Sequence, residues 1–291
     1  MTALWTKCAV CYACFLVISL SPAGFEPCTA QGVTTDTLMA GKAARPWLMV
    51  SLTPRGTGSF RHVISVVKNL SGNPNVIVRH FGTVTPEFIH DLQPEFVVLS
   101  PQGTPWCRYT GGRGIDLQNF LWLLPMLAED MNIPILGICG GHQALAIAFG
   151  GKVGPIRGGE YDCMPYTRDR QRGVVPLEVI APDPIFRGID GSLRIVESHY
   201  DEVKILPPGF VLLASEKQSP NQIIRHPTRP VYGIQGHPER FHSNRPDGGI
   251  LIRNFLKIAG TYNTAVRGLS RPRVAPRLLS FERGTATSRG N

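Results

Sequence analysis

The clearest candidate for chemistry is a cysteine flanked by glycines. The segment 134–143 reads PILGICGGHQ, so an apolar run leads directly into Cys139, with Gly137 and Gly141 two residues to either side. This spacing is typical of a nucleophile elbow, where a sharp strand-to-helix turn strains the nucleophile and glycines relieve the crowding. At a helix N-terminus, the dipole and free N–H groups favour a thiolate. We predict that Cys139 is a nucleophile; the alternative is a buried structural cysteine.

A thiol nucleophile needs a base, and the best candidate lies in the segment 231–239, VYGIQGHPE. Alternate residues of an extended segment point to the same side, and Pro238 disfavours a helix, so His237 and Glu239 are expected to share one face. His237 would relay the proton, while Glu239 would fix its tautomer and stabilise the imidazolium ion. On spacing alone, a surface turn with an unrelated His and Glu is an equal alternative.

Short apolar runs that alternate with helical patterns must position these residues. Before the cysteine we predict strands at 47–52, 75–81, 96–100 and 133–138, helices at 60–70, 86–92 and 116–130, and a further helix from about Gly141. This order favours an α/β fold, doubly wound, with a mostly parallel central sheet and helices on both faces. Later strands at 174–180, 193–197, 210–214, 223–225 and 231–235 are joined by short turns, which predicts added antiparallel strands before a last helix at 249–259.

The two ends of the chain differ from this body in composition. We predict a signal-like leader at 1–30, a linker at 31–45, the catalytic domain at 46–260 and a basic disordered tail at 261–291. The tail holds six arginines and one glutamate, or +5 of the net charge of +9, so the charge does not indicate nucleic-acid binding by the body. A solvated tail is the default expectation, with contact to an anionic surface as the alternative.

The predicted leader determines the cellular compartment that we expect for the protein. One lysine precedes the apolar run 8–20 and the small residues 21–23, which is the pattern of a secretory signal, and a second small-residue site follows at 28–30. The run is shorter than the ~20 residues of a membrane span, so no span is expected after the leader is removed. We predict a periplasmic or secreted protein; if translation instead starts at Met39, the protein is cytoplasmic.

The seven cysteines are not spaced like a known disulfide or metal-binding pattern. Three lie in the leader run, and the spacing of Cys28, Cys107, Cys139 and Cys163 contains neither a disulfide pattern nor a zinc-ligand pair. We therefore predict no disulfide, no metal and no cofactor.

The two motifs together resemble the class I glutamine amidotransferases with a Cys-His-Glu triad, which are grouped with the γ-glutamyl hydrolases. The elbow GICGGHQ at 137–143 and the segment QGHPE at 235–239 match family motifs in order and separation, and the resemblance covers roughly 46–260. It implies the flavodoxin-like fold of that family. It also implies that Cys139, His237 and Glu239 form the triad; His142, which directly follows the elbow, stays outside it.

The resemblance also implies residues that bind substrate. Gln143 would hold the substrate amide, and Ser198 and His199 would contact the amino-acid end of glutamine, although an ordinary strand–loop junction is the alternative for these two. The loop 99–105 has the position of the family's oxyanion loop but contains a single glycine, so Gly103 would donate its N–H together with Gly140. Bulky residues follow at 106–109, where the family often has small ones; they would narrow or cover the pocket, or pack a surface loop.

The implied reaction is hydrolysis of the glutamine side-chain amide to glutamate and ammonia through a cysteine thioester. The sequence contains no G-x-x-x-x-G-K-[ST] phosphate loop or second large domain, so the acceptor of the ammonia would be a separate synthetase subunit or would be absent. Two alternatives remain open: a free-standing hydrolase of γ-glutamyl amides or peptides, and a catalytically silent binding module with the same fold.

Overall fold

The apolar runs fold as buried strands, and the amphipathic segments between them fold as helices. The computed structural model describes residues 44–56, 60–160, 162–163 and 170–269. Over these residues the elements are β1 (Trp47–Ser51), α1 (Arg61–Ser71), β2 (Val76–His80), α2 (Pro86–Leu92), β3 (Val97–Leu99), α3 (Gly111–Glu129), β4 (Ile135–Ile138), α4 (Gly140–Ala148), β5 (Lys152–Pro155), β6 (Gln171–Val179), β7 (Leu193–His199), β8 (Asp201–Ile205), β9 (Val211–Ser215), β10 (Ile223–Arg225), β11 (Val231–Ile234) and α5 (Asp247–Val266).

Nine strands form one mixed sheet in the order β2-β1-β3-β4-β11-β10-β9-β6-β7. The five strands from β2 to β11 run parallel, and the pairs from β11 to β7 are antiparallel. The predicted doubly wound α/β fold with added antiparallel strands is therefore confirmed. The prediction is wrong for β11, which was grouped with the antiparallel strands but pairs parallel to β4, because its short buried run does not reveal the direction of its neighbour. The small sheet of β5 and β8 was not predicted, because the acidic residues at the start of β8 hide its strand pattern.

Each face of the sheet packs against helices because side chains alternate along the strands. On one face, Trp47 and Met49 of β1 join a buried cluster with side chains of α1 and α5, such as Phe255. On the other face, Leu48 and Val50 pack with α2, α3 and α4. The helices on both faces hold the sheet rigid, so the loops at its edge have a fixed base.

The last helix is longer than its sequence pattern predicts, and it continues past the predicted domain boundary at 260. Asn263 Nδ2 donates to the Glu95 carbonyl oxygen at 2.8 Å, and Arg267 Nη1 donates to the Pro94 carbonyl oxygen at 2.9 Å. These bonds tie residues 261–267 to the loop before β3. Residues 1–43 and 270–291, which include the leader, most of the predicted linker and the rest of the tail, lie outside the described residues.

The expectation that no disulfide forms is wrong. Cys107 and Cys163, 56 residues apart, are bonded with a Cα–Cα distance of 5.5 Å. Their pairing depends on two loops that meet only in the folded chain, so the spacing of the cysteines along the sequence does not indicate the disulfide. Over the described ranges, Cys139 is the one free cysteine, no group of residues is arranged to hold a metal ion, and no helix is long and apolar enough to cross a membrane.

Candidate active site

Three neighbouring parallel strands end at the same edge of the sheet and bring the candidate residues together. Leu99 of β3 and Gly233 of β11 both lie beside Gly137 of β4, and Ile138 pairs with Ile234. The loop after β3, the cysteine after β4 and the histidine segment after β11 therefore leave the sheet side by side. This edge is where open α/β sheets place their ligands.

Cys139 occupies the predicted elbow between β4 and α4. Its backbone has φ 51° and ψ −106°, an unfavourable conformation for a residue with a side chain. A Cβ atom on Gly137 would collide with the Gly141 carbonyl group, and one on Gly141 would collide with Leu99. The two glycines are thus required by close backbone contacts, as the sequence predicted.

His237 and Glu239 are buried and hydrogen bonded to each other, with 2.8 Å between Nδ1 and Oε1. Their shared face arises differently from the prediction, because residues 238–240 form a 3-10 turn rather than an extended strand. Burial by itself would lower the pKa of His237, but hydrogen bonds and charge interactions with Cys139 and Glu239 outweigh it and raise the pKa to about 10. The ring is therefore an imidazolium ion at neutral pH, hydrogen bonded to the side chains of Cys139 and Glu239.

A pocket of about 260 Å³ opens above the cysteine. It is lined by residues that include Gln102, Cys139, Ser198, His237 and Arg240. At its mouth, the Ser198 hydroxyl accepts a hydrogen bond from Arg170, whose guanidinium group lies 5.2 Å from the centre of the Tyr200 ring. The mouth is therefore polar and basic, which suits the carboxylate of an amino acid.

Gln143 lies on the pocket wall, but its amide is bonded to protein groups. Its Oε1 accepts from Trp106 Nε1 at 2.6 Å, and its Nε2 donates to the Asp201 carbonyl oxygen at 2.5 Å and to Gln235 Oε1 at 3.2 Å. Both amide hydrogens are thereby used. Trp106 is buried behind the pocket and does not cover it, so sequence reasoning missed its role as the anchor of Gln143.

His199 also lines the pocket with its polar atoms turned into the protein. Nδ1 donates to the Asp201 carbonyl oxygen at 2.9 Å, and Nε2 lies 2.8 Å from Gln171 Oε1 and 3.2 Å from Glu197 Oε2. Burial raises the pKa of the Glu197 carboxyl group. Of the two predicted contacts on this strand, only Ser198 presents a side-chain polar atom to the pocket.

His142 is fully buried and lies outside the pocket lining, in agreement with its exclusion from the triad. Burial and the nearby His199 ring lower the pKa of His142 to about 3, so the ring is neutral. Gly233 of β11 packs against this ring; a Cβ atom there would lie 2.5 Å from Nδ1.

The two predicted oxyanion donors are placed differently. Gly140 is the first residue of α4, where a helix N–H group has no partner within the helix. In the other loop, the carbonyl oxygen of Gln102 lies 4.0 Å from Cys139 Sγ. The C=O and N–H groups of a trans peptide point in opposite directions, so the Gly103 N–H group points away from the cysteine in this conformation.

A strained, buried cysteine with an imidazolium–carboxylate pair beside it defines the class of enzymes that act through a cysteine nucleophile. Comparison with known proteins makes the class specific. The family model for class-I glutamine amidotransferases matches residues 75–259. The chain belongs to this family, and it hydrolyses the side-chain amide of glutamine to glutamate and ammonia.

Individual relatives agree with this assignment. The glutamine-hydrolysing GMP synthase subunit of Methanosarcina acetivorans is 41% identical over 207 residues, which cover 70% of this chain and 94% of that protein. The corresponding subunit of Thermococcus kodakarensis is 38% identical over 179 residues, or 62% of this chain and 83% of that protein. A crystal structure from Thermoplasma acidophilum, provisionally assigned as the same kind of GMP synthase subunit, superposes with a TM-score of 0.58 at 25% identity and covers 76% of this chain and 98% of that one.

Proposed function

We propose that this chain is the glutamine-hydrolysing subunit of a two-subunit GMP synthase and passes ammonia to a separate synthetase subunit. The similarity to glutamine-hydrolysing GMP synthase subunits over nearly their whole length carries the proposal. The described residues contain one catalytic pocket with the required triad. In this proposal the ammonia is used by the separate synthetase subunit.

In the proposed reaction, the Cys139 thiolate attacks the side-chain carbonyl carbon of glutamine. The imidazolium ion of His237 gives its proton to the departing ammonia, and the neutral ring then accepts a proton from the water that hydrolyses the thioester. Glu239 stabilises the charged ring through the 2.8 Å bond to Nδ1. The high pKa of His237 supports this order, because the ring starts the cycle carrying the proton that it must donate.

The Gly140 N–H group is positioned to receive the oxyanion, whereas the Gly103 N–H group joins it only if the Gln102–Gly103 peptide turns over. Gly103 allows that movement because it has no Cβ, and nothing lies within 4 Å of the position that a Cβ would occupy. The bonded amide of Gln143 and the bonded ring of His199 support a positioning role for both residues. Ser198 and the mouth arginines would contact the amino-acid end of the substrate.

The proposal is tested by assaying the full chain with glutamine, with a γ-glutamyl peptide, and with the GMP synthase synthetase subunit of its own organism. We expect glutamine hydrolysis that rises when the synthetase is added with its nucleotide substrates, and GMP formation from glutamine only in the mixture. A glutamine-like chloroketone should abolish both activities and label Cys139, and Cys139→Ser should remove the label. Hydrolysis of the γ-glutamyl peptide with no response to the synthetase would contradict the proposal and favour the hydrolase alternative.

A further inference from the structure

The outer face of the β6–β7 pair, beside the pocket, carries apolar and basic side chains. The two strands pair so that Val174 lies opposite Val196, and Arg194 lies two residues before Val196 on the same face. Val174 is 41% exposed, although the opposite face of the same strands is buried in the core. Because β7 is the last strand of the sheet, this face borders an open edge.

A shallow groove crosses this face, and we call it the outer groove. Its lining includes the apolar residues Val174, Val196 and Phe241 and the basic residues Arg194, Arg240 and Arg245. Within the described residues, the single carboxylate at ion-pair distance from these three arginines is Glu239, 3.8 Å from Arg240 Nε. Another acid, Asp247, accepts a bond from the backbone N–H of Arg194 at 2.7 Å. The groove thus has an excess of positive charge beside its apolar residues.

The outer groove is connected to the active site in two ways. His237 and Arg240 line both the groove and the pocket. The backbone N–H of His237 also donates to the Val196 carbonyl oxygen at 2.7 Å, so β7 directly supports the triad histidine. A protein bound in the groove would therefore lie next to the opening through which ammonia leaves.

We infer that the outer groove docks the synthetase subunit through a surface with acidic side chains around an apolar contact. This inference rests on the proposed function and adds the place of contact. Three arginines that lack enough carboxylates of their own attract a partner of opposite charge, and an apolar group of that partner would cover the exposed valine between them. Ammonia released into water is protonated and lost to the acceptor, so the subunit that uses it must bind beside the pocket mouth.

Docking there would also affect catalysis. Arg240 and His237 contact the same oxygen of Glu239, at 3.8 Å and 2.8 Å respectively. A partner carboxylate that pairs with Arg240 draws it away from Glu239 and leaves that charge to His237 alone. The bound synthetase would thereby change the charge around the triad without adding a group to the pocket.

The test measures binding of the full-length chain to the synthetase subunit by biolayer interferometry, at low and at physiological salt. Arg194→Glu should weaken binding by about tenfold or more and reduce its salt dependence, because a rim charge acts mainly on electrostatic association. Arg245→Glu should act in the same direction and provides a second variant if the first is unstable. Arg79→Glu is the matched control, since Arg79 is an exposed arginine on β2, the opposite edge strand of the sheet.

Partner-free glutaminase activity and thermal unfolding are measured for each variant. We expect both to stay at the wild-type level for Arg194→Glu while the activation by synthetase is lost. Equal binding by the Arg194→Glu, Arg245→Glu and Arg79→Glu proteins, with a wild-type chain that binds the synthetase, would overturn the docking site. Failure of the proposed function would instead appear as a wild-type chain that hydrolyses glutamine but neither binds the synthetase nor forms GMP with it.

Discussion

The charge on Glu239 should control the upper pH limit of glutamine hydrolysis. Glu239→Gln keeps an oxygen that accepts the 2.8 Å hydrogen bond from His237 Nδ1 but removes the negative charge. Glu239→Ala removes both the hydrogen-bond acceptor and the negative charge. Comparison of the two variants therefore separates the positioning of the ring from the stabilisation of its positive charge.

The size of the effect follows from the geometry. Two unit charges about 4 Å apart in a partly buried site interact by about 4 kcal/mol, which corresponds to at most about three pKa units. The bond to Cys139 also raises the pKa of His237 and remains in the variant, so we expect a shift of about two units down from the value of about 10. Because His237 acts as a proton donor, activity is lost as pH rises through its pKa, and this loss should occur at lower pH in Glu239→Gln.

The assay is the pH profile of ammonia release by the full chain, together with its rate at neutral pH. At neutral pH we expect losses of about tenfold for Glu239→Gln and up to about a hundredfold for Glu239→Ala, still smaller than the loss for His237→Ala. Glu95→Gln is the control, because Glu95 is a buried carboxylate that accepts from Asn73 away from the pocket. An unchanged alkaline limit in Glu239→Gln, with normal folding, would refute the role of this carboxylate.

Three further predictions concern the elbow, the pocket wall and the leader. Gly141→Ala should lower the free energy of unfolding by about 1–3 kcal/mol because the added methyl group meets Leu99. Gly103→Ala should leave stability unchanged and lower kcat, because the alanine restricts rotation of its peptide. Equal melting temperatures of the two variants would contradict the predicted loss of stability in Gly141→Ala. Trp106→Phe leaves Gln143 Oε1 without its donor and should cost about 1–3 kcal/mol and raise KM; an unchanged KM would argue against that wall. The leader predicts export, which conflicts with supplying ammonia to a synthetase that uses nucleotides. Sequencing of protein from the host tests both: a start after residue 23 or 30 would favour the γ-glutamyl hydrolase alternative, and an intact start or one at residue 39 would contradict export.

The triad residues and the sheet could be predicted because their signals are local. The glycines beside Cys139 meet backbone atoms within the same strand, turn and helix, so their spacing is visible in a short segment. The pattern of apolar runs was sufficient for the parallel strands before the cysteine. It did not show that β11 runs parallel to β4, so the meeting of Cys139 and His237 was expected from the two motifs and the family resemblance, not from the sheet.

The features that sequence reasoning missed share a different cause, because they depend on contacts between distant segments. The last turns of α5 are stabilised by bonds to residues 94 and 95, and the helical pattern itself ends near residue 259. The disulfide joins two loops that no local pattern connects. Gln143 was expected to hold substrate because its own position matches the family motif, whereas the bonds that occupy its amide come from Trp106, Asp201 and Gln235.

The parallel and the antiparallel strands of the sheet have different roles in this enzyme. The parallel strands β3, β4 and β11 end in the groups that react, and their position is fixed by helices on both faces. The antiparallel strand β7 supports His237 from behind, carries Ser198 into the pocket and presents Arg194 to solvent. One strand therefore touches the triad, the substrate pocket and the outer groove. A synthetase bound along β7 would therefore contact the same strand that supports His237 and carries Ser198, and it could affect both residues without moving the parallel strands.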